Sequence, residues 1–475
     1  MTEVIESRKS SGMRSSTAAR VVAALYATTR MPIFFVVTEP PGSSVAVYNP
    51  STIHHMNSSG STAMSGASPS ASPASQATKI RFPALDGCRA LAALGVLITH
   101  VSLLSGFSNR STTLGPYLAR MDVGVSVFFV LSGFLLYRPF VAARFAAEPS
   151  GDLGAYARRR VLRIIPAYWV ALTVVGFVLK APGFVEPHSI ISHYLLLQIY
   201  DSTQLVGGPI QQAWSLATEV AFYVFVPCWA WAMSRRKRSA SRQLRVEVIA
   251  LVAIFVASAA ANLGLIKIGV AESTFAQLGT WLPFRIGDFV PGMLLAVGSA
   301  WVSHNKTRLP SWLRRSPAAL VFWVFALGVF WFVSTQLGLP MFPIFTPAQA
   351  YLVRVLYLVF ATLLVIPAVL ARSDKGLVTA TAANPVAIWL GLVSYGIYIW
   401  HEAWQDIYLR ITDQPGLNAN FLGMLSFTLA LTMLCATLSW YLVEKPAIRW
   451  GARRRGSPMP PSVDHPPAES APSLP

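Results

Sequence analysis

From residue 84 onward the chain is a succession of apolar runs, each near the ~20 residues that carry a helix across a bilayer. Ten such segments occur, at about 85–106, 123–143, 163–181, 213–233, 247–266, 283–303, 317–337, 349–371, 386–409 and 421–443. A polypeptide can cross hydrocarbon only if every backbone polar group is paired internally, so runs of this length must be helices. The pattern therefore predicts an all-α integral membrane protein of about ten transmembrane helices. Composition agrees. Of 475 residues, 54% are hydrophobic and only 12% charged, about half the charged share of a soluble protein.

The net charge of +18 raises the question of nucleic acid. The basic residues are dispersed between apolar segments and are not interleaved with aromatics, so no nucleic-acid surface is expected. Their distribution sets orientation instead. With residue 84 entering from the cytoplasm, the inner connections hold 25 Lys and Arg and the outer ones 5. The positive-inside rule then places both termini in the cytoplasm and the chain in the cell (plasma) membrane as a multi-pass protein. Cys88, Cys228 and Cys435 fall inside apolar runs with no ligand spacing. They read as small core residues, with neither disulfide nor metal expected.

Residues 1–78 are rich in Ser, Ala, Thr and Pro, as in MSGASPSASPASQATK, and are expected to be disordered. Within them RVVAALYATTRMPIFFVV (Arg20 to Val37) is more apolar but lacks a signal-peptide cleavage pattern. It reads as an interfacial helix. Alternatively the whole segment is translated upstream sequence and the start is Met56 or Met64. The domain proper spans 79–450, and the Pro-rich tail 451–475 is expected to be disordered.

The first apolar segment, ALDGCRALAALGVLITH (Ala84 to His100), carries an Asp, an Arg and a His. Arg89 and His100 are eleven residues apart, three turns and ~20° at ~100° per residue, so they share a helix face. Asp86, three residues before Arg89, joins it. The rise from Arg89 to His100 is ~16 Å at 1.5 Å per residue. One stripe thus carries a charged pair near the cytoplasmic end and an imidazole in the outer half. An interfacial ion pair is the plain reading of Asp86 and Arg89, and an interhelical hydrogen bond that of His100. Ionisable groups at membrane depth nonetheless usually face a cavity or a partner.

Other polar residues fall at matching depths. AWSLATEVAFY (Ala213 to Tyr223) enters from outside and puts Glu219 about two turns down, level with His100. The two are expected to meet in one outer-leaflet cavity. SYGIYIWHEAW (Ser394 to Trp404) places His401 in the outer half, where His401 and Glu402 also fit an interfacial belt. DVGVSVFFVLSGFLLYRPF holds Ser132 and Gly133, the glycine suited to close helix approach. In RRRVLRIIPAYW (Arg158 to Trp169), Arg160 and Arg163 share one face and suit a phosphorylated ligand on the cytoplasmic side. Arg285 with Asp288, and Arg354, are read as interhelical salt bridges. The longest outer connection, Ala181 to Ala213, contains His188, His193 and a Gly-Gly-Pro at 207–209 and is a candidate cover for an acceptor site.

In this order, DGCRALAALGVLITH, FFVLSGFLLYR, RRVLRIIPAYW, AWSLATEVAFY, SYGIYIWH and LVEKPAIRW resemble the acyltransferase 3 family of membrane-bound O-acyltransferases over about residues 80–450. The family's Arg and His fall on Arg89 and His100, its Arg-x-x-Arg on Arg160 and Arg163, and its Trp-Ser-Leu-x-x-Glu on Trp214, Ser215, Leu216 and Glu219. Cys88 and Ala90 depart from its usual residues without removing a chemical group. The resemblance implies transfer of an acyl group, commonly acetyl from acetyl-CoA, to a hydroxyl of a sugar, glycolipid or cell-envelope glycan. It implies no bound cofactor and acyl-CoA as the donor substrate; some relatives carry a fused hydrolase-like domain, and the short tail after Trp450 leads to the expectation of a stand-alone enzyme. On this reading His100 is general base or nucleophile and Glu219 orients it. Asp86, Arg89, Ser132, Arg160, Arg163, Trp214, Ser215, Tyr223, Tyr395 and His401 are candidate substrate-binding residues. The alternative class is a transporter or flippase of a glycan or lipid without acyl chemistry. Transporters commonly show two similar halves, and FFVLSGF and WSLATE have no counterparts in the later half.

Overall fold

The computed structural model describes residues 82–149, 151–181, 184–204, 208–306, 310, 316–340, 345–370 and 376–453. The expectations for residues 1–78, for most of the 451–475 tail and for Gly207 lie outside them. Among the described residues there is no strand. Ten long helices follow one another: α1 (Ala84–Leu104), α2 (Gly124–Phe145), α3 (Leu153–Thr173), α4 (Ala213–Ser234) and α5 (Ala240–Lys267), then α6 (Val290–His304), α7 (Ser316–Thr335), α8 (Pro347–Leu370), α9 (Pro385–Thr412) and α10 (Phe421–Ser439). Each overlaps one expected apolar segment.

Eight of these elements are long and apolar enough to cross a membrane. The sixth is broken, with Leu282–Asp288 meeting α6 at a 48° bend, and counting the pair as one span gives nine. The expected ten is not reached because α9, though 28 residues long, is not apolar enough. Its Ser394, His401 and Gln405 are buried against other helices. A helix enclosed by protein can carry such groups, provided each finds a partner inside. The outer faces are apolar instead. On α5, Ile249, Val252, Val256 and Leu263 are exposed, and on α7 Leu320, Val324, Phe325 and Leu327. Runs of exposed apolar side chains on long helices are what a bilayer covers. The protein is therefore a multi-pass membrane protein.

Close approach positions the helices around α1. It packs along α9 and α2, and α2 packs along α6. A Cβ built on Gly391 of α9 would fall on the Asp86 carbonyl of α1, and one on Gly292 of α6 would fall on the Val130 carbonyl of α2. Only glycine lets the backbones come this near. The helix ends are set locally. Asn384 caps α9 by accepting from Ala387 N at 2.9 Å, with Pro385 in the first turn, where its missing N–H costs nothing. Past the C-terminus of α1, Gly106 takes a left-handed φ of 74° and its N–H reaches back to Leu103 O at 2.9 Å. Two helices carry π turns, Val174–Val178 after α3 and Trp440–Glu444 after α10.

Candidate functional site

Two polar clusters share α1. The first is a cavity of about 790 Å³, counting its open mouth, lined by Arg89, Ser132, Arg160, Arg163, Ser215, Glu219, Tyr223, Tyr395 and Tyr398 with apolar residues such as Phe128, Phe129 and Ile164. Five helices contribute, α1, α2, α3, α4 and α9. The arginines arrive by simple helical geometry. α3 starts at Asp152, whose Oδ1 accepts from Gly154 N at 2.8 Å, and this places Arg160 and Arg163 on one face a turn apart. Arg89 donates to Asp86 Oδ1 at 3.0 Å, as the i, i+3 spacing predicted.

Arg160 and Arg163 are different. Among the described residues no carboxylate lies within ion-pair distance of either, and Arg160 Nε is buried without a hydrogen-bond partner. Two guanidinium groups facing a cavity with unspent donors make an anion-binding wall. The one carboxylate in the cavity, Glu219, accepts from Ser132 Oγ. Tyr395 OH donates to Ile164 O at 3.0 Å, and Ser215 Oγ lies 2.7 Å from Tyr398 OH. Trp214 does not line the cavity. It packs edge-on to Phe129 beneath the Arg285 guanidinium, 5.1 Å from the ring. Arg285, Asp288 and Arg354 form the expected interhelical bridge, with Arg354 Nε 2.9 Å from Asp288 Oδ1 and Arg285 3.2 Å from Oδ2.

The second cluster lies further along α1. His100 Nδ1 is 2.8 Å from His401 Nε2 and 3.3 Å from Glu402 Oε1. The two imidazole planes are nearly parallel, at 7°. His401 is fully buried, and its Nδ1 faces the backbone carbonyls of Tyr398 at 2.8 Å and Ile397 at 3.2 Å. Gln212, just before α4, clamps the same turn of α9 through Nε2 bonds to the carbonyls of Tyr398 and Ile399 at 3.0 and 3.2 Å. Asp122 interacts electrostatically with His100, and its Oδ1 accepts from Tyr357 OH at 2.6 Å.

This arrangement corrects one expectation. Glu219 does not orient His100. Its partner is Ser132 in the arginine cavity, and the groups at His100 are His401 and Glu402. Equal depth in the membrane left the rotation of α4 undetermined, and that rotation decides the neighbour. Cys228 differs as well: it is exposed, not a core residue. In the outer connection His193 is buried and His188 pairs with Asp201 at 2.6 Å. Beyond the expected residues the structure brings in Tyr398, Gln212 and Glu402. Tyr398 and Glu402 stood in the SYGIYIWHE motif, Tyr398 three residues from both Tyr395 and His401 and Glu402 next to His401. Gln212, just ahead of the WSL motif, gave no signal.

His100, His401 and Glu402 place three potential ligand atoms within 4.8 Å of one another. Two imidazole nitrogens on a tetrahedral zinc stand roughly 3.3 Å apart, from Zn–N bonds of about 2.0–2.1 Å. The observed 2.8 Å is instead a hydrogen bond that uses one proton and one lone pair.

Fold and site define a multi-pass helical membrane protein in which one helix links an arginine-lined cavity to a histidine pair. The chain belongs to the acyltransferase 3 family, since the family model described as "Acyltransferase domain" matches residues 82–444. Similar proteins include "Putative peptidoglycan O-acetyltransferase YrhL" of Bacillus subtilis, 26% identical over 78% of this chain and 56% of its own length. "Putative O-acetyltransferase SACOL0978" of Staphylococcus aureus is 25% identical over 79% of this chain and 59% of its own. "Acyltransferase MdmB" of Streptomyces mycarofaciens is 27% identical over 83% and 98% respectively. The chain thus spans somewhat more than half the length of the first two. No solved structure matches it.

Proposed function

We propose that this chain is a membrane O-acyltransferase that moves an acyl group, acetyl in the simplest case, from cytoplasmic acyl-CoA to a hydroxyl of an envelope carbohydrate or glycolipid. The observation that carries the reading is the pair Arg160 and Arg163, which face a cavity and, among the described residues, have no carboxylate within ion-pair distance. Acyl-CoA is a polyanion, and its phosphates match that wall. The relatives named for O-acetyl transfer, one of them to peptidoglycan, support the acceptor class. The 25-to-5 bias of basic residues supports ten spans with both termini in the cytoplasm, α9 being the span shielded by its neighbours.

In this mechanism Arg160 and Arg163 hold phosphates, and Arg89, steadied by Asp86, binds the donor's polar groups nearby. Ser132, Glu219, Ser215, Tyr223 and Tyr395 line its path. The pantetheine arm follows α1 over the ~16 Å from Arg89 to His100. His100 then takes the proton of the acceptor hydroxyl as general base. The hydroxyl oxygen attacks the thioester carbonyl, the C–O ester bond forms and the C–S bond breaks. The proton passes from His100 to the departing thiolate. Glu402, 3.3 Å from His100 Nδ1, stabilises the imidazolium in between.

The direct test uses mass spectrometry of envelope glycans and lipids from cells with and without the protein. An acyl increment on a hydroxyl is expected only with it. Identical acylation in both, together with altered amounts of a lipid-linked glycan across the membrane, would instead assign transport.

A further inference from the structure

His401 has a second neighbour set that fixes where its proton sits. Its Nδ1 faces only carbonyl oxygens, those of Tyr398 and Ile397 at 2.8 and 3.2 Å. A carbonyl cannot donate, so Nδ1 must carry the hydrogen. His401 is fully buried, and an uncompensated cation there is costly, so the ring is neutral and Nε2 holds a lone pair. That lone pair points at His100 Nδ1, 2.8 Å away. The other group at His100 Nδ1 is the Glu402 carboxylate at 3.3 Å, also an acceptor. Both neighbours therefore require a hydrogen on His100 Nδ1. With the ring planes 7° apart, the N–H lies in line with the His401 lone pair. Among the described residues no polar group bonds His100 Nε2.

We propose that His401 is a positioning residue, not a substrate ligand: it locks His100 as the Nδ1-protonated tautomer and so leaves Nε2 as the free base aimed at the acceptor hydroxyl. The proposal rests on the reading of His100 as general base. It makes the chain of control run from the backbone of α9, through His401, to the proton-accepting atom of His100. Gln212 belongs to that control, since its amide holds the carbonyls of Tyr398 and Ile399. The titratable groups facing His100 are His401 and Glu402 from α9 and Asp122 from the turn before α2. A tautomer fixed this way costs no reorganisation when the proton moves.

The test compares variants in membranes given [14C]acetyl-CoA, reading base-labile acetate on envelope material. His401→Leu removes the acceptor and is expected to lower the maximal rate roughly 10- to 100-fold, as for loss of an orienting partner. The KM for acetyl-CoA is expected to be unchanged. His401→Gln restores an acceptor oxygen near the Nε2 position and is expected to recover the rate to within about threefold of wild type. A merely structural role would not distinguish Leu from Gln in rate alone. In parallel, 15N NMR of histidine-labelled protein in detergent, assigned with His100→Gln, is expected to show the hydrogen of His100 on Nδ1. A hydrogen on Nε2 overturns the proposal. Wild-type rates in His401→Leu beside an inactive His100→Ala also overturn it while leaving the base intact. Wild-type rates in both variants would remove the base reading itself. Stoichiometric zinc in the purified protein would overturn the proposal too, because it would occupy the lone pairs that the hydrogen bond needs.

Discussion

Arg163 faces the cavity, and among the described residues no carboxylate lies within ion-pair range of it, so its substitution breaks no direct ion pair. Arg163→Ala is expected to raise the KM for acetyl-CoA by roughly tenfold to a hundredfold, since a hydrogen bond to a charged group contributes about 1.5–3 kcal/mol. The maximal rate should change little, because the phosphates bind equally in ground and transition states. An unchanged KM would remove the phosphate clamp. At this scale the sequence was legible wherever partners lie on one helix. The Asp86–Arg89 pair and the shared face of Arg160 and Arg163 follow from i, i+3 spacing alone. The Ser132–Glu219 bond and the His100–His401 bond do not, because each joins two helices whose relative rotation no local pattern encodes. Depth put Glu219 and His401 both level with His100. Only the packing of α1 against α9, close enough that Gly391 meets the Asp86 carbonyl, chose between them.

Among the elements, the outer connection offers a test independent of catalysis. The short helix Pro187–Tyr194 buries His193. Its imidazole donates through Nδ1 to Ser189 O at 2.8 Å, and its backbone carbonyl accepts from Tyr168 OH at 2.9 Å. Burial holds this imidazole below its ordinary value of 6.5. An unfolded segment therefore binds the proton first as pH falls. The stabilisation is complete above about pH 6.5 and is lost progressively below it. Hydrogen exchange over residues 187–200, corrected for intrinsic rates, is expected to quicken between pH 7.5 and 5.5. His193→Gln should flatten that dependence, and equal slopes in both proteins would contradict it. Asp201 does not compete in this window. Hydrogen bonds, first from His188 and then from Thr203, hold its carboxyl at about 2, so it stays ionised throughout. Element positions were readable from the apolar runs. The bend before α6, beside Pro291 in its first turn, and the π turns after α3 and α10 were not, because apolar runs report length and leave local breaks in a helix unmarked.

For the molecule as a whole, the bilayer did most of the specifying. Because hydrocarbon leaves helices as the workable option, ten apolar segments became ten helices with little ambiguity. The exposed apolar faces of α5 and α7 complete that picture. What the apolar pattern hid was the interior, where α9 trades apolarity for His401, Gln405 and Ser394. The central claim joins the two clusters on α1: an anionic donor bound on one side, proton chemistry at His100 on the other. Sealed inside-out vesicles test it directly, because acetyl-CoA added outside meets only the cytoplasmic face. With wild-type protein, [14C]acetate is expected to appear as base-labile ester on lumenal envelope material. With His100→Ala, present at equal level and equally inserted, that label should be absent. Equal lumenal labelling by the two proteins would contradict the account.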